Sequence, residues 1–421
     1  MNYIKYDVVI IGAGPAGLFA AACLDNNIKT LVLEKNSSAG KKLLLSGSGK
    51  CNITHFGDVK DFFARYGDNS NFIKHALYAF SNQDLITYLK NNNVDIFIDN
   101  NSKVFPKSEK AGDILKTLLK TCDEKNVDII YNSEVKIISN IENKFYIEIR
   151  NKKYESTYLI IASGGKSYPD SGSTGDGYTF AKNFGHTVIE PRPALVPLKI
   201  KDYKYSICSG ITLKDKEVYL YRQNKKIKTN VGDILFTHFG LSGPGILNFS
   251  RYIRKGDILK INIADSKPEI IKNEFIEQVS KDGSISVKGF FKNYNIPENL
   301  IEEILFEAAI APNTKLSKTD KESRNKIIES FCNLPFEVKE LGDFNIAMVT
   351  AGGVSLEEVS SKRMESRIIP NLYFIGEVLD IDGDTGGYNL QAAFSTGYTS
   401  AKTINIKSFG EIQCFIDITN N

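Results

Sequence analysis

The chain lacks the residue clusters that build metal centres and disulfides, and its 53 basic residues are nearly balanced by 50 acidic ones. Its six cysteines, Cys23, Cys51, Cys122, Cys208, Cys332 and Cys414, are scattered and form no C-x-x-C. That spacing argues against a zinc knuckle or a local redox pair and fits a reduced, cytoplasmic protein. The four histidines lie far apart, so no metal site is expected. A net charge of +3 gives no general case for nucleic-acid or membrane binding. No internal repeat or low-complexity tract occurs. Only residues 8 to 24 resemble a signal segment. Asp7 at its start and Gly12, Gly14, Pro15 and Gly17 within it suit a nucleotide loop better. No other stretch approaches the length of a membrane span. What remains is an ordinary globular composition, 42% hydrophobic and 24% charged, over 421 residues, enough for two to three domains.

Strand and helix signals alternate in the first third. Residues 6 to 11 read as a buried strand, 16 to 26 as an Ala-rich helix, and 30 to 33 as a strand ending at Glu34. A helix over 84 to 92, a hairpin of 94 to 98 with 103 to 106, and a helix over 111 to 125 follow. A strand over 127 to 131, a meander of 134 to 141 and 144 to 150, and a strand over 158 to 162 complete the series. Such alternation implies a parallel or mixed sheet covered by helices. The texture changes around Pro191, where Arg192, Pro193 and Pro197 mark a crossing. Residues 195 to 263 show short alternating strands, which suggests a small antiparallel barrel or sandwich. Residues 267 to 333 carry apolar side chains at helical spacing, as in Ile301, Ile304 and Leu305. From Asn345 the α/β texture returns, with a strand over 372 to 375 and a last helix near Leu390. The expected architecture is α/β. A Rossmann-like nucleotide-binding domain, 1–190 with 345–421, is interrupted by a β-barrel, 191–266 with 334–344, and a helical part, 267–333.

Three motifs carry chemistry. Gly12-Ala13-Gly14-Pro15-Ala16-Gly17 stands between a strand and a helix. Gly12 permits the tight turn, Gly14 lets backbone approach a pyrophosphate, and Gly17 lets the helix pack closely. Glu34, about 20 residues on, sits where a carboxylate binds ribose hydroxyls and repels a 2′-phosphate, which leaves FAD or NAD(H). A second group favours FAD. Residues 158 to 165, YLIIASGG, resemble the return strand of two-dinucleotide-fold flavoproteins, with Ser163 in the Thr place. Residues 371 to 377, NLYFIGE, deliver Gly376 and Glu377, the acid expected at the ribityl chain although Asp is usual there. Gly386, Gly387, Tyr388, Asn389 and Leu390 then lead into an Ala-rich helix whose N-terminus can face the flavin N1–C2=O edge. The third motif, KKLLLSGSGKCN over 41 to 52, could bring Gly47, Ser48 and Gly49 against the cofactor, with Lys50 balancing charge. The plain alternative is a solvated basic loop.

Together these segments resemble the BaiN/YhiN-like, or aminoacetone-oxidase-like, FAD-binding flavoproteins. The likeness also includes GGKSYPDSGSTGDGY from 164, FTHFGLSGPGIL from 236, VTAGGV from 349 and GEVLDIDGDTGGYNLQAAFSTG from 376. It implies a two-dinucleotide FAD domain broken by a barrel-and-helix insert. It implies FAD contacts at Gly12, Gly14, Ala16, Gly17, Glu34, Lys41, Lys42, Gly47, Cys51, Asn52, Gly376, Asp382, Gly387, Asn389 and Leu390. A backbone contact from Val135 to adenine is implied as well. The expected cofactor set also takes in Pro15, Lys35, Gly49, Lys50, Ala162, Ser163, Gly164, Glu377 and Tyr388. Non-covalent FAD is expected.

Candidates for proton transfer are weaker. Cys51 has no neighbouring cysteine, so dithiol chemistry is not expected, and a small residue packed on the flavin is the plainer role. His238, between two turns, divides evenly between acid–base work and a structural one. Tyr168 can line a substrate cavity, although packing is its commoner use. His186 reads as a cap, and His55 and His75 lack a motif. The expected function is two-electron hydride transfer between FAD and a small organic substrate. NAD(P)H as a transient co-substrate, or oxygen, is the redox partner, because no second G-x-G-x-x-G marks a separate nicotinamide domain. The alternative is a flavoprotein that acts on or binds RNA, with FAD partly structural and the basic stretch Arg222, Lys225, Lys226 and Lys228 in contact. A small-molecule substrate is favoured over nucleic acid, and no membrane partner is expected.

Overall fold

The computed structural model describes residues 3 to 419, with side chains through 408, so Cys414 lies outside the described side chains. The chain forms two compact units, Met1–Pro193 with Phe344–Asn421, and Ala194–Asp343. The sequence expectation put the change at Pro191 and the return at Asn345.

The first unit opens with β1 (Ile4–Ile11), α1 (Pro15–Cys23) and β2 (Thr30–Leu33), then α2 (Lys41–Leu45) and β3 (Thr54–His55). Three helices follow: α3 (Val59–Phe62), α4 (Ser70–Ala79) and α5 (Asn82–Asn91). The sequence expectation held only the last of them, as residues 84 to 92. Gly67 at φ 56 and an exposed, polar surface hide the helical pattern of 59 to 79, which packing of Phe62, Tyr66, Ile73, Ala76 and Leu77 enforces. α5 starts two residues earlier than expected because Ser81 and Asp84 form a reciprocal capping box. Next come β4 (Ile96–Ile98), β5 (Lys103–Pro106), α6 (Ala111–Glu124) and β6 (Asp128–Ile130). The meander is β7 (Ile137–Ile141) and β8 (Lys144–Glu148). Residues 134 to 136, expected in its first strand, lie outside it. β9 (Lys153–Ile161), α7 (Asp176–Asn183) and β10 (Val188–Ala194) complete this part.

The second unit holds β11 (Leu198–Ile200), β12 (Thr212–Arg222), β13 (Lys225–Phe236), β14 (Gly240–Ser242), α8 (Pro244–Leu247) and β15 (Ile258–Ile261). Four helices, α9 (Pro268–Asp282), α10 (Val287–Lys292), α11 (Glu298–Glu307) and α12 (Lys321–Cys332), precede β16 (Leu334–Leu341). The six strands close into a barrel in the order β11-β14-β13-β12-β15-β16, so β16 returns after the helices to seal it. Val218, Leu220, Ile234, Phe236, Leu259 and Ile261 are fully buried on alternating positions, as a packed barrel interior requires.

The first unit resumes with β17 (Val349–Val354), paired to β10, then β18 (Leu372–Phe374) and α13 (Tyr388–Thr419). Its main sheet runs β6-β2-β1-β9, with β18 added beside β9. These five strands are mutually parallel, while β8 and β7 continue antiparallel. Ala16 to Ala22 of α1 are all buried, the mark of a helix enclosed on every side. Gly17 and Gly397 make that packing possible. A Cβ on Gly17 would lie 2.1 Å from Gly12 O, and one on Gly397 would lie 2.8 Å from Ala16 O. Among the described residues no helix is long and apolar enough to cross a membrane.

Gly397→Leu should push α13 off the first turn of α1. The expected result is a loss of roughly 1–3 kcal/mol in a urea melt, together with reduced flavin content. A variant with the parental melt and flavin content would contradict this packing.

Candidate active site

The parallel strands β6, β2, β1, β9 and β18 send their following loops to one edge of the sheet. In open α/β sheets this is where ligands bind. Gly12, at φ 107, turns the chain out of β1, and Gly14 then caps α1 with extended backbone and no side-chain hydrogen bond. Pro15 fills the first helical position, and Ala16 and Gly17 continue the turn. A Cβ on Gly14 would meet no protein atom within 4 Å. Open space before an uncapped helix N-terminus suits an anion, because first-turn N–H groups and the positive dipole end converge there.

Glu34 closes β2, only 7% exposed. Its Oε2 accepts from Ala13 N–H at 2.8 Å, and its Oε1 from Asn36 N–H and Nδ2, both at 2.8 Å. Oε2 therefore keeps acceptor capacity for a sugar hydroxyl. Val135 is buried in the turn that follows β6. Beside β9, Ala162 is buried, Gly164 takes φ 74, and Ser163 Oγ is buried without a partner among the described residues.

Gly40 N–H donates to Ala13 O at 2.9 Å and seats α2 beside the glycine turn. The lysines there carry protein partners. Lys35 Nζ reaches Asp176 at 2.6 Å, Lys41 Nζ reaches Asn36 Oδ1 at 3.1 Å, and Lys42 Nζ reaches Glu377 at 2.6 Å and Ser167. Lys50, expected to balance cofactor charge, is half exposed and paired with Glu109 at 2.7 Å. Gly47, Ser48 and Gly49 form a left-handed turn, the first two exposed. It leads to Cys51, itself at φ 61 and fully buried. Burial pushes the Cys51 thiol up to about 11.

Glu377, expected at the ribityl chain, is engaged by protein groups. Oε1 accepts from Ser167 Oγ at 2.9 Å and Thr350 N–H at 2.8 Å, and Oε2 accepts from Lys42. Thr350 Oγ1 in turn accepts from Lys166 N–H at 2.8 Å and Ser167 N–H at 3.1 Å. The carboxylate thus knots four segments together: α2, the loop after β9, β17 and the loop after β18.

The segment before α13 is held just as firmly. Asn389 closes a ring, with Oδ1 accepting from Gly383 N–H at 2.7 Å and Nδ2 donating to Gly383 O at 2.8 Å. Gly387, at φ 96, lies so close to β3 that a Cβ would sit 2.5 Å from Thr54 C. Asn52 fastens that contact: its amide oxygen accepts from Gly387 N–H at 3.1 Å and its nitrogen donates to Thr54 O at 3.0 Å. Tyr388 stacks on His55, ring centroids 5.1 Å apart, and its carbonyl accepts from Tyr66 Oη at 2.8 Å. Asp382 is buried, and Gly376 and Leu390 are half buried.

Tyr168 stands in the same unit, half buried at φ 54, with its N–H bound to Phe344 O at 2.9 Å. His238 belongs to the barrel unit, exposed in the turn from β13 to β14. His186 is buried between Glu358 and Ser366. Sequence reasoning missed Ser167, Thr350, His55 and Tyr66. The first two lie inside quoted motifs, so their signal was there, but His55 and Tyr66 had none. FAD fits these residues: open space at Gly14 for the pyrophosphate, Glu34 for the ribose and a rigid glycine pair at α13.

Gly14→Val should fold, because the backbone is extended and the space empty, yet lose FAD. Binding should weaken roughly 100-fold, about 2.7 kcal/mol, by flavin titration. Tight FAD binding by that variant would contradict the placement. Cys51 should resist iodoacetamide near neutral pH, since its thiolate gains population only as pH rises toward about 11. Rapid native labelling at neutral pH, read by peptide mass, would contradict the buried, protonated thiol.

Residues 6–403 match the family model described as the HI0933-like protein Rossmann domain. A ribosomal RNA dihydrouridine synthase of Haemophilus influenzae is 31% identical over 94% of this chain and 98% of its own. A 3-dehydro-bile acid delta(4,6)-reductase of Clostridium scindens is 28% identical over 93% of this chain and 97% of its own. A solved 3-ketosteroid-delta4-(5alpha)-dehydrogenase of Rhodococcus jostii shares the fold. Its TM-score is 0.50 at 14% identity, covering 95% of this chain and 97% of that one. The chain belongs to the HI0933-like family, the BaiN/YhiN-like FAD-dependent flavoproteins whose motifs it carries.

Proposed function

We propose that this chain is a FAD-dependent reductase of carbon–carbon double bonds conjugated to a carbonyl, and that its substrate is a uridine of ribosomal RNA. The open, uncapped N-terminus of α1 beside Glu34 is the observation that supports the cofactor. The reaction class comes from the two relatives. One is named for making dihydrouridine, the other for reducing a bile-acid delta(4,6) system. Uracil C5=C6 is conjugated to C4=O, and a steroid alkene beside a 3-oxo group is the same electronic unit. Both reductions add hydride to the carbon remote from the carbonyl and a proton to the nearer one. The relative named for RNA is the more similar of the two, which favours uridine.

Bound FAD supplies two-electron transfer as hydride, with reduced nicotinamide as the source and oxidised nicotinamide as the product. The chain does the rest. Gly14, Ala16 and Gly17 would hold the pyrophosphate, and Glu34 would hold the adenosine ribose. The first turn of α13, pinned by Asn52 and Asn389, would offer fixed dipoles to a bound flavin. Lys42 and Glu377 hold the neighbouring loops and neutralise each other. Cys51 and Tyr168 are the proton-donor candidates within this unit. Burial keeps the Cys51 thiol protonated, which argues against a thiolate nucleophile.

NADH or NADPH should bleach the visible flavin band under anaerobic conditions. Unmodified ribosomal RNA should then restore it while one uridine gains two hydrogens by mass. Free uridine should react at least ~100-fold more slowly, because remote binding energy is lost. Restoration by a steroid enone and not by RNA would overturn the substrate and keep the reaction class. No bleaching by either nicotinamide would overturn the reductase.

A further inference from the structure

A titratable side chain stands against the glycine pair that leads into α13. β3 ends at His55. A Cβ built on Gly386 would lie 3.6 Å from His55 Nδ1 and 3.3 Å from Tyr388 Cε2. The imidazole is held in place. It stacks on Tyr388 at 24°, with ring centroids 5.1 Å apart, and meets Phe62 edge-on at 6.4 Å. Its backbone is tied as well, since the His55 carbonyl accepts from Asn82 Nδ2 at 3.0 Å and β3 pairs His55 with Lys103 of β5. Nδ1 is nevertheless enclosed without a hydrogen-bond partner among the described residues. A ring nitrogen left bare in this way costs stability unless something meets it. The residue as a whole is half buried, so protons still reach the ring from solvent.

Few charges face this ring. Burial holds the imidazole below its ordinary value. The cations Arg65 and Lys103 act in the same direction, while the Gly386 backbone and Asp99 oppose it. Asp384 sits 3.8 Å from Arg65 and offsets part of that charge. Tyr388, the stacking partner, stays a neutral phenol because burial pushes its hydroxyl up. The imidazole is therefore neutral around pH 7 and free to accept a proton when an anion forms beside it.

We propose that His55 is the proton acceptor of flavin reduction, taking one proton from solvent as the bound ring becomes anionic. Two electrons and one hydrogen enter the isoalloxazine and leave one negative charge on it. One further proton moves from water to His55, whose two ring nitrogens then both donate. An opposite charge over a few Å favours the charged form of its neighbour by roughly ten- to a thousandfold. The dipoles of α13 take up no proton, so the proton count separates the work of His55 from that of the helix. The inference rests on the flavin reading of the site and is independent of the uridine substrate.

The test uses FAD-loaded protein with isotope-labelled histidine, titrated by NMR with the flavin oxidised and then photoreduced without oxygen. H55Q assigns the His55 signal by its loss. His55 should hold its proton at least roughly tenfold more tightly once the flavin is reduced, a midpoint about one pH unit higher. His75, His186 and His238 should not move. Spectroelectrochemistry gives a second reading: around pH 7 the wild-type midpoint potential should fall with pH about twice as steeply as that of H55Q, two protons per two electrons against one. An unmoved His55 signal, or equal slopes in the two proteins, would overturn the inference. Should H55Q hold no flavin, the wild-type slope alone decides, and a one-proton slope overturns it. Neither reading needs nicotinamide or RNA, so a failed reductase assay would sink the proposed reaction and leave His55 in its role. Protein that binds no FAD would overturn both.

Discussion

The backbone of α1 rests against the end of β1 with no room for a side chain between them. A Cβ on Gly17 would overlap Gly12 O, and one on Gly12 would overlap Ala162 O. That double contact fixes the helix N-terminus at the end of the parallel sheet and leaves its first-turn N–H groups uncapped. A folded protein leaves such donors bare only where something else satisfies them. The open space at Gly14 and the carboxylate of Glu34 fit an anionic, sugar-bearing dinucleotide.

Around this contact the charges are organised for rigidity more than for ligand attraction. Lys35, Lys42 and Lys50 each close an ion pair, with Asp176, Glu377 and Glu109. The Glu377 pair is largely shielded and also takes Ser167 and Thr350, so it carries more weight than the exposed Lys50 pair, whose contribution solvent reduces to little. At the other end Asn52 and Asn389 spend their amides on Gly387 and Gly383. Two preformed ends, joined through α1 packing on α13, fit a cradle that need not reorganise around a bound cofactor.

The glycine turn, Glu34, the strand over 372 to 374 and the start of α13 were legible because each follows from local chemistry: a tight turn, a strand-terminal acid, a buried apolar run. The barrel showed in the alternation of 195 to 263, and its sealing strand β16 falls within the 334–344 segment that the sequence reading joined to the barrel across the helices. α3 and α4 were missed because aromatic, Asn and Gly residues obscure their periodicity, and tertiary packing of Phe62 and Tyr66 supplies what propensity does not. The partners of Glu377 and Lys42 were equally invisible, since 335 positions separate them in the chain. A lysine-rich motif indicates charge, while its pairing depends on which loops the sheet brings together.

The most direct test of the cradle is a crystal structure of the chain with FAD. The account predicts the pyrophosphate within hydrogen-bond reach of the first-turn N–H groups of α1, and an adenosine ribose hydroxyl donating to Glu34. A pyrophosphate seated elsewhere, or a ribose turned away from Glu34, would contradict it.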